Sequence, residues 1–322
     1  MAETIIVIPN HLPHLDFLNE WSKVFHDKEI IIVQDIGDKP KIPMPYTNLT
    51  IYDHNDIHDD LGADDWIIPT RSSACRSYGF YKAWQRGAKQ ILTLDNDCFP
   101  DGSDFFNGHI ENLSRRVTLG WSVSNSQFAF TRGFPYGLRE KSPVGVSHGL
   151  WSMVPDLDAA TSLHNFDLRF QPSTELIVIP KNNYYTMCGM NLAWVSELTP
   201  LMYFGLFGPE YGFDQYDDIW AGVLSKKVMD HLDYGVISGY PSVQHRKQSN
   251  VFINLNKQAP GLAMNEIFWE IVDGIKLTKN SAAECYEELI SSLPDVIANE
   301  PEGWTRKFKQ AALIWVNLFK EN

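Results

Sequence analysis

The sequence predicts an α/β protein: a Rossmann-like, mixed but mostly parallel sheet flanked by helices, followed by a helical C-terminal tail. Short β-branched runs, TIIVI at 4–8, EIIIV at 29–33 and ILTL at 91–94, alternate with segments whose apolar residues recur at helical spacing. The run at 91–94 ends abruptly in Asp95-Asn96-Asp97. This places carboxylates outside the carboxyl end of a strand, where open α/β sheets bind their ligands. Trp304, Phe308, Ala312, Trp315 and Phe319 form one apolar stripe at the far end of the chain.

With 322 residues, 44% of them hydrophobic, the chain is long enough for one large α/β domain over 1–260 and a helical extension over 261–322 packed on it. No stretch approaches the roughly 20 apolar residues of a membrane span. The start, MAETIIVIPN, has no basic region ahead of an apolar one, so a soluble, unprocessed, cytoplasmic protein is expected. Four cysteines without a C-x-x-C pair read as free thiols in a reducing compartment. A net charge of −13 argues against a nucleic-acid or anionic-membrane surface. Any nucleotide bound here must meet local cations.

In chain order, Thr4–Ile8 is a strand ending at Pro9-Asn10, and Phe17, Leu18, Trp21, Val24 and Phe25 give the next segment a helical face. Glu29–Val33 is the second strand, completing a β-α-β start. Asp35 then lies at the same sheet edge as the D-x-D, or serves only as a turn acid before Gly37. A weaker strand at Leu49–Tyr52 leads into an acidic loop. Ser72 or Ser73 caps a helix that runs to Arg86 and stops at Gly87. The absence of G-x-G-x-x-G and of a P-loop leaves a flavin or nicotinamide cofactor unsupported.

Side chains alternate along a strand, so Asp95 and Asp97 share one side, a pair of carboxylates suited to a hard divalent cation. From 120 to 180 the composition turns to Gly, Pro, Ser and aromatics, expected to form functional loops, with TRGFPYGLRE at 131–140 and VSHGLW at 146–151. Arg132 and Arg139 are spaced to face one diphosphate. A strand is expected at Thr174–Ile179, and MCGMNLAW at 187–194 reads as a tight turn entering another. Asp217 and Asp218 precede a helix, where an acid serves equally as a cap or as a site residue. Tyr234–Ser238 is the last core strand, with His245 beyond its end, and the chain turns helical after Gly261.

These motifs together, the strand-ending D-N-D, SACR, RGFPYGLRE, VSHGLW, MCGMNLA, YDDIWAG and the late His245-x-Lys247, resemble the reversibly glycosylated polypeptides, the UDP-arabinopyranose mutases best known from plants. The resemblance implies a GT-A-like fold, a UDP-sugar substrate held with Mn²⁺ or Mg²⁺, and interconversion of UDP-L-arabinopyranose and UDP-L-arabinofuranose. It also implies self-glycosylation at the arginine of R-G-[FY]-P, here Arg132. Where the family commonly has D-D-D, this chain has Asn96, and Lys141 stands where the familiar text has Gly.

On this resemblance Asp95, Asp97 and His245 hold the metal, and Arg132 and Arg139 contact the diphosphate. Asp217 and Asp218 face the sugar, and Asp35 accepts from the uracil N3–H. Arg76 and Lys247 serve the nucleotide sugar, and His148, Trp151 and Asn191 contact its sugar ring. A glycosyltransferase using an acceptor and a non-catalytic UDP-sugar-binding subunit are the alternatives. The aromatic tail suits a homo-oligomer.

Overall fold

The structure, a computed structural model, describes residues 3–121, 130, 132–139, 141–246 and 249–320. Strand β1 (Thr4–Asn10) is buried along its whole length, as its unbroken apolar run demands. Helix α1 (Leu18–Phe25) turns Leu18, Trp21 and Phe25 onto one face of the sheet. Strands β2 (Glu29–Gln34) and β3 (Leu49–Tyr52) follow in parallel register. The segment after β3, expected as an acidic loop, is instead helix α2 (His54–Leu61), started by a capping box between Asp53 and Asp56. A single buried residue, Ile57, left it without apolar periodicity.

Helix α3 (Arg76–Gln85) covers the other face of the sheet. Gly79 lets it approach closely, because a Cβ there would lie 2.4 Å from Val7 Cγ1 and 2.8 Å from Val33 Cγ2. Then come β4 (Gln90–Leu94), the short β5 (Cys98–Phe99), α4 (Phe105–Ser114) and β6 (Arg116–Val117). The expected loop region holds a twelve-residue strand, β7 (Ser142–Met153), in the middle of the sheet. Its sequence, SPVGVSHGLWSM, has no apolar run because its buried positions include Ser147, His148 and Gly149.

Helix α5 (Ala159–His164), β8 (Leu176–Ile179), β9 (Asn191–Val195) and α6 (Asp217–His231) lead to β10 (Gly235–His245). Strand β10 extends beyond the expected Ser238, so His245 is its last residue and not a residue after it. Three helices close the chain: α7 (Val251–Gly274), α8 (Ala282–Ser292) and α9 (Trp304–Asn317). Positions 260 and 261 both lie inside α7. The α9 stripe packs back into the core, with the Trp304 indole N–H donating to Leu206 O at 2.8 Å and that of Trp315 to Pro200 O at 2.9 Å.

The strand order is β3-β2-β1-β4-β9-β7-β10-β5, with β6 on β7 and β8 on β10. Strands β1 to β4 are parallel, β7 and β10 are parallel to each other, and β9 runs against both β4 and β7. The carboxyl ends of six strands and the start of β9 therefore share one edge. This mixed, mostly parallel sheet between helices is consistent with a GT-A-like fold. Among the described residues no helix is long and apolar enough to cross a membrane.

Candidate active site

At that shared edge, a cleft of about 440 Å³ is lined by Asn10, Asp35, Ser73, Arg76, Asp95 and Asp97, among others. Side-chain amides knit its floor. Asn96 Nδ2 donates to Asn10 Oδ1 at 2.8 Å, and Asn10 Nδ2 donates to Gln34 Oε1 at 2.7 Å, linking the ends of β4, β1 and β2. Strand β4 ends at Leu94, so Asp95-Asn96-Asp97 form a turn in which Asn96 lines the cleft with both acids, in place of the strand alternation expected to separate them. At the end of β2, Asp35 Oδ1 accepts the Arg71 N–H at 2.7 Å, with His54 Nε2 3.5 Å away.

Arg76, at the start of α3, is the hub. Its guanidinium is buried and ion-paired with Asp95. It also donates to Gly189 O at 2.7 Å and to Ser73 O at 3.0 Å. Burial opposes its charge, but Asp95 and Asp217 more than offset this and hold it protonated. Gly189 is required beside it: a Cβ there would sit 2.8 Å from the Phe204 ring and 3.0 Å from Arg76 Nη1.

Three further carboxyls close around this pair. Asp217 Oδ2 accepts from Ser73 Oγ at 2.9 Å, Asp218 Oδ2 from Gly189 N–H at 2.7 Å, and Asp156 Oδ2 from the Cys188 thiol at 2.9 Å. Burial pushes Asp217 up to about 6 against the pull of Arg76. Burial and the neighbouring Asp217 push Asp218 well above the usual carboxyl range. Asp156 is raised by its enclosure, although the residue is exposed to solvent in a smaller chamber that it lines with His245. Burial and Asp156 raise the Cys188 thiol.

His245 Nδ1 donates to Val154 O at 3.0 Å, which leaves Nε2 unprotonated when the ring is neutral, 3.9 Å from Asp97 Oδ2. That is too long for a hydrogen bond and suits two ligands of one ion, with the carbonyl setting the tautomer. Asp95 is taken by Arg76, and among the described residues no three of His, Cys, Asp and Glu are grouped closely enough to hold a metal themselves. Asp97 and His245 are the two donors here that would suit a divalent cation.

The other expected residues are distributed differently. Asn191 is fully buried, with Oδ1 on His109 Nε2 at 2.7 Å and Nδ2 donating to Leu150 O and Pro241 O, so its amide is engaged within the fold. His148 is buried with Nδ1 2.9 Å from Ser238 Oγ, and burial lowers it to about 4. Trp151 is half-buried, its ring 6.4 Å from that of His148. Arg139 lies over the Tyr136 ring at 3.8 Å and donates to Phe134 O at 3.2 Å, contacts within its own loop. Arg132 is exposed on the same loop, and no described contact joins either arginine to the carboxyl cluster. Lys247 lies outside the described residues. Asp156 and the donor role of Cys188 escaped the sequence reading; a strand assigned at 142–153 would have exposed Asp156 as a strand-end acid.

The model of the reversibly glycosylated polypeptide family matches residues 1–322. The chain is 38% identical to the probable UDP-arabinopyranose mutase 4 of Arabidopsis thaliana, covering 98% of this chain and 90% of that one. It is 37% identical to the probable UDP-arabinopyranose mutase 1 of Pisum sativum, over 99% of this chain and 91% of the relative. With the UDP-arabinopyranose mutase 1 of Arabidopsis thaliana it shares 36% identity over 99% and 92%.

Proposed function

Because the chain belongs to the reversibly glycosylated polypeptide family, we propose that it is a UDP-arabinopyranose mutase interconverting UDP-L-arabinopyranose and UDP-L-arabinofuranose. The observation that carries this reading beyond family membership is the cleft on the sheet's carboxyl edge, where Asp35, Arg76, Asp95 and Asp97 meet, with His245 3.9 Å from Asp97 and Asp218 bound to the Gly189 N–H beside Arg76. On an acidic chain, such a site binds a nucleotide diphosphate only through local cations.

In this proposal the uracil N3–H is taken by Asp35, and the diphosphate lies along the D-N-D turn. Asp97 and His245 hold Mn²⁺ or Mg²⁺, which when bound neutralises charge on the departing diphosphate. Arg76 keeps Asp95 oriented and adds fixed positive charge behind it. The anomeric carbon parts from UDP, the ring oxygen exchanges, and UDP returns; carboxyls at the start of α6 face the sugar. Arg132 is assigned to the diphosphate and to self-glycosylation, a trapped form of the same activated sugar. Cytoplasmic location and self-association belong to the same proposal.

The test is incubation of purified protein with UDP-L-arabinofuranose and Mn²⁺, followed by chromatography of the nucleotide sugars. The pyranose form is expected to appear, and to be lost with Asp97→Ala or on chelation. Unchanged nucleotide sugar, or UDP and free sugar alone, would refute the mutase assignment.

A further inference from the structure

Asp156 lies three residues beyond the end of β7, at the edge where Asp95 and Asp97 leave β4. Its segment is clamped to β10: Val154 N–H donates to His245 O at 3.1 Å, and the His245 Nδ1–H donates back to Val154 O at 3.0 Å. Buried Pro155 stiffens the one intervening residue. The Cys188 thiol occupies Asp156 Oδ2 at 2.9 Å, and the next residue, Gly189, gives its N–H to Asp218 Oδ2 at 2.7 Å. One dipeptide therefore aligns two carboxyls from different elements. No hydrogen bond from a described residue reaches the Oδ1 of either, and both side chains retain solvent access. The dipeptide is itself fixed by the 2.7 Å bond from Arg76 to Gly189 O. Asp217, in contrast, is only 7% exposed and bound to Ser73.

We propose that Asp156 is a catalytic carboxyl that works with Asp218 as the proton-transfer pair of ring exchange, with Cys188 as its positioning residue. This rests on the mutase reading above. After the bond from C1 to the diphosphate breaks, its electron pair leaves with UDP. The sugar's 4-hydroxyl oxygen then bonds to C1 and releases its proton. The bond from C1 to the ring oxygen O5 breaks, and O5 takes up a proton. A diphosphate oxygen finally bonds C1 again. One proton is accepted and one delivered, with no net oxidation, so two carboxyls carrying one proton between them balance the exchange in either direction. Asp156 also lines, with His245, a polar chamber of about 70 Å³ beside the main cleft. That space suits a hydroxyl-bearing group moving out of the ring more than a whole sugar.

The experiment compares wild type, Asp156→Asn, Asp156→Ala, Cys188→Ser and Cys188→Ala. Each is assayed for conversion of UDP-L-arabinofuranose with Mn²⁺ and, separately, for UDP affinity by calorimetry. Asp156→Asn is expected to lower conversion by about 100-fold or more, with UDP affinity within about threefold of wild type. Formate should restore part of the activity of Asp156→Ala, and Cys188→Ser should retain more than Cys188→Ala. Should Asp156→Ala not fold, the isosteric Asp156→Asn decides. Conversion by Asp156→Asn within about threefold of wild type would overturn the role. So would parallel loss of UDP binding and conversion without formate rescue, which marks a structural part. Wild-type protein that binds UDP but interconverts nothing would instead remove the mutase reading, and this pair with it.

Discussion

The middle of the sheet and its carboxyl edge both bury polar side chains, but on opposite terms. In the middle, His109 takes Ser147 Oγ at 2.9 Å and Asn191 Oδ1 at 2.7 Å. Asn112 Nδ2 reaches Ser147 Oγ at 3.1 Å and Tyr240 O at 2.7 Å, and Asn191 Nδ2 closes on Leu150 O and Pro241 O. Every member is neutral and paired, and burial drives His109 down to about 4 so that it stays neutral. At the edge, Asp95, Asp217 and Asp218 gather about the buried guanidinium of Arg76, Asp156 adjoins Asp218, and burial pushes Asp217 up to about 6. The first cluster is closed and stabilises the fold. The second is short of positive charge and has open oxygens, so only a cationic or proton-donating ligand completes it.

The largest effect is expected from Asn191→Ala. It strands the His109 Nε2–H, Leu150 O and Pro241 O in the sheet's interior. At about 1–3 kcal/mol for each unpaired buried group, a loss on the order of 4 kcal/mol should appear as a lower urea midpoint. Affinity for UDP should not change at temperatures where the variant is folded. If stability held while sugar-nucleotide binding vanished, Asn191 would belong with the edge, and the division between the clusters would break.

The same division marks what the sequence disclosed. Strands β1, β2 and β4 were legible because both of their faces are apolar, and the D-N-D was legible because it ends such a run. Strand β7 was not: Ser147 and His148 are matched by His109 and Ser238, partners 38 and 90 residues away. Partners that distant leave no local period. Losing β7 hid Asp156 and made His148 look like a loop-borne contact. Arg76 lines the cleft, and its buried ion pair with Asp95 follows only from the packing of α3 across the sheet.

A sharper contrast comes from pH. Asp217 is held above its usual 3.8, near 6, so between those values the folded state binds this proton more tightly than the unfolded chain does. Its contribution to stability therefore falls as pH rises through that window. The central histidines have the opposite sign: lowered to about 4, His109 and His148 favour the fold above pH 6.5 and cost stability as pH falls towards 4. In EDTA, Asp217→Asn should be more stable than wild type at pH 7 by on the order of 2 kcal/mol. The advantage should vanish near pH 4. An equal difference at both pH values would show that folding does not raise the Asp217 carboxyl above its usual range.

The smallest effect tests whether burial, and not pairing itself, separates the clusters. Just past His245, Arg246 makes a two-pronged ion pair with Glu20 on α1, both contacts 2.7 Å, with its guanidinium 4.2 Å from the Phe99 ring centroid. The geometry is as good as any in the interior, but both partners are exposed. Water solvates each charge when the pair opens, so Glu20→Gln should cost about 0.5 kcal/mol and the difference should shrink in high salt. Urea unfolding at two salt concentrations measures it. A loss approaching that of Asn191→Ala would mean that the end of β10, and with it His245, depends on a surface pair. The stability of the edge would then have to be traced to charge as well as to enclosure.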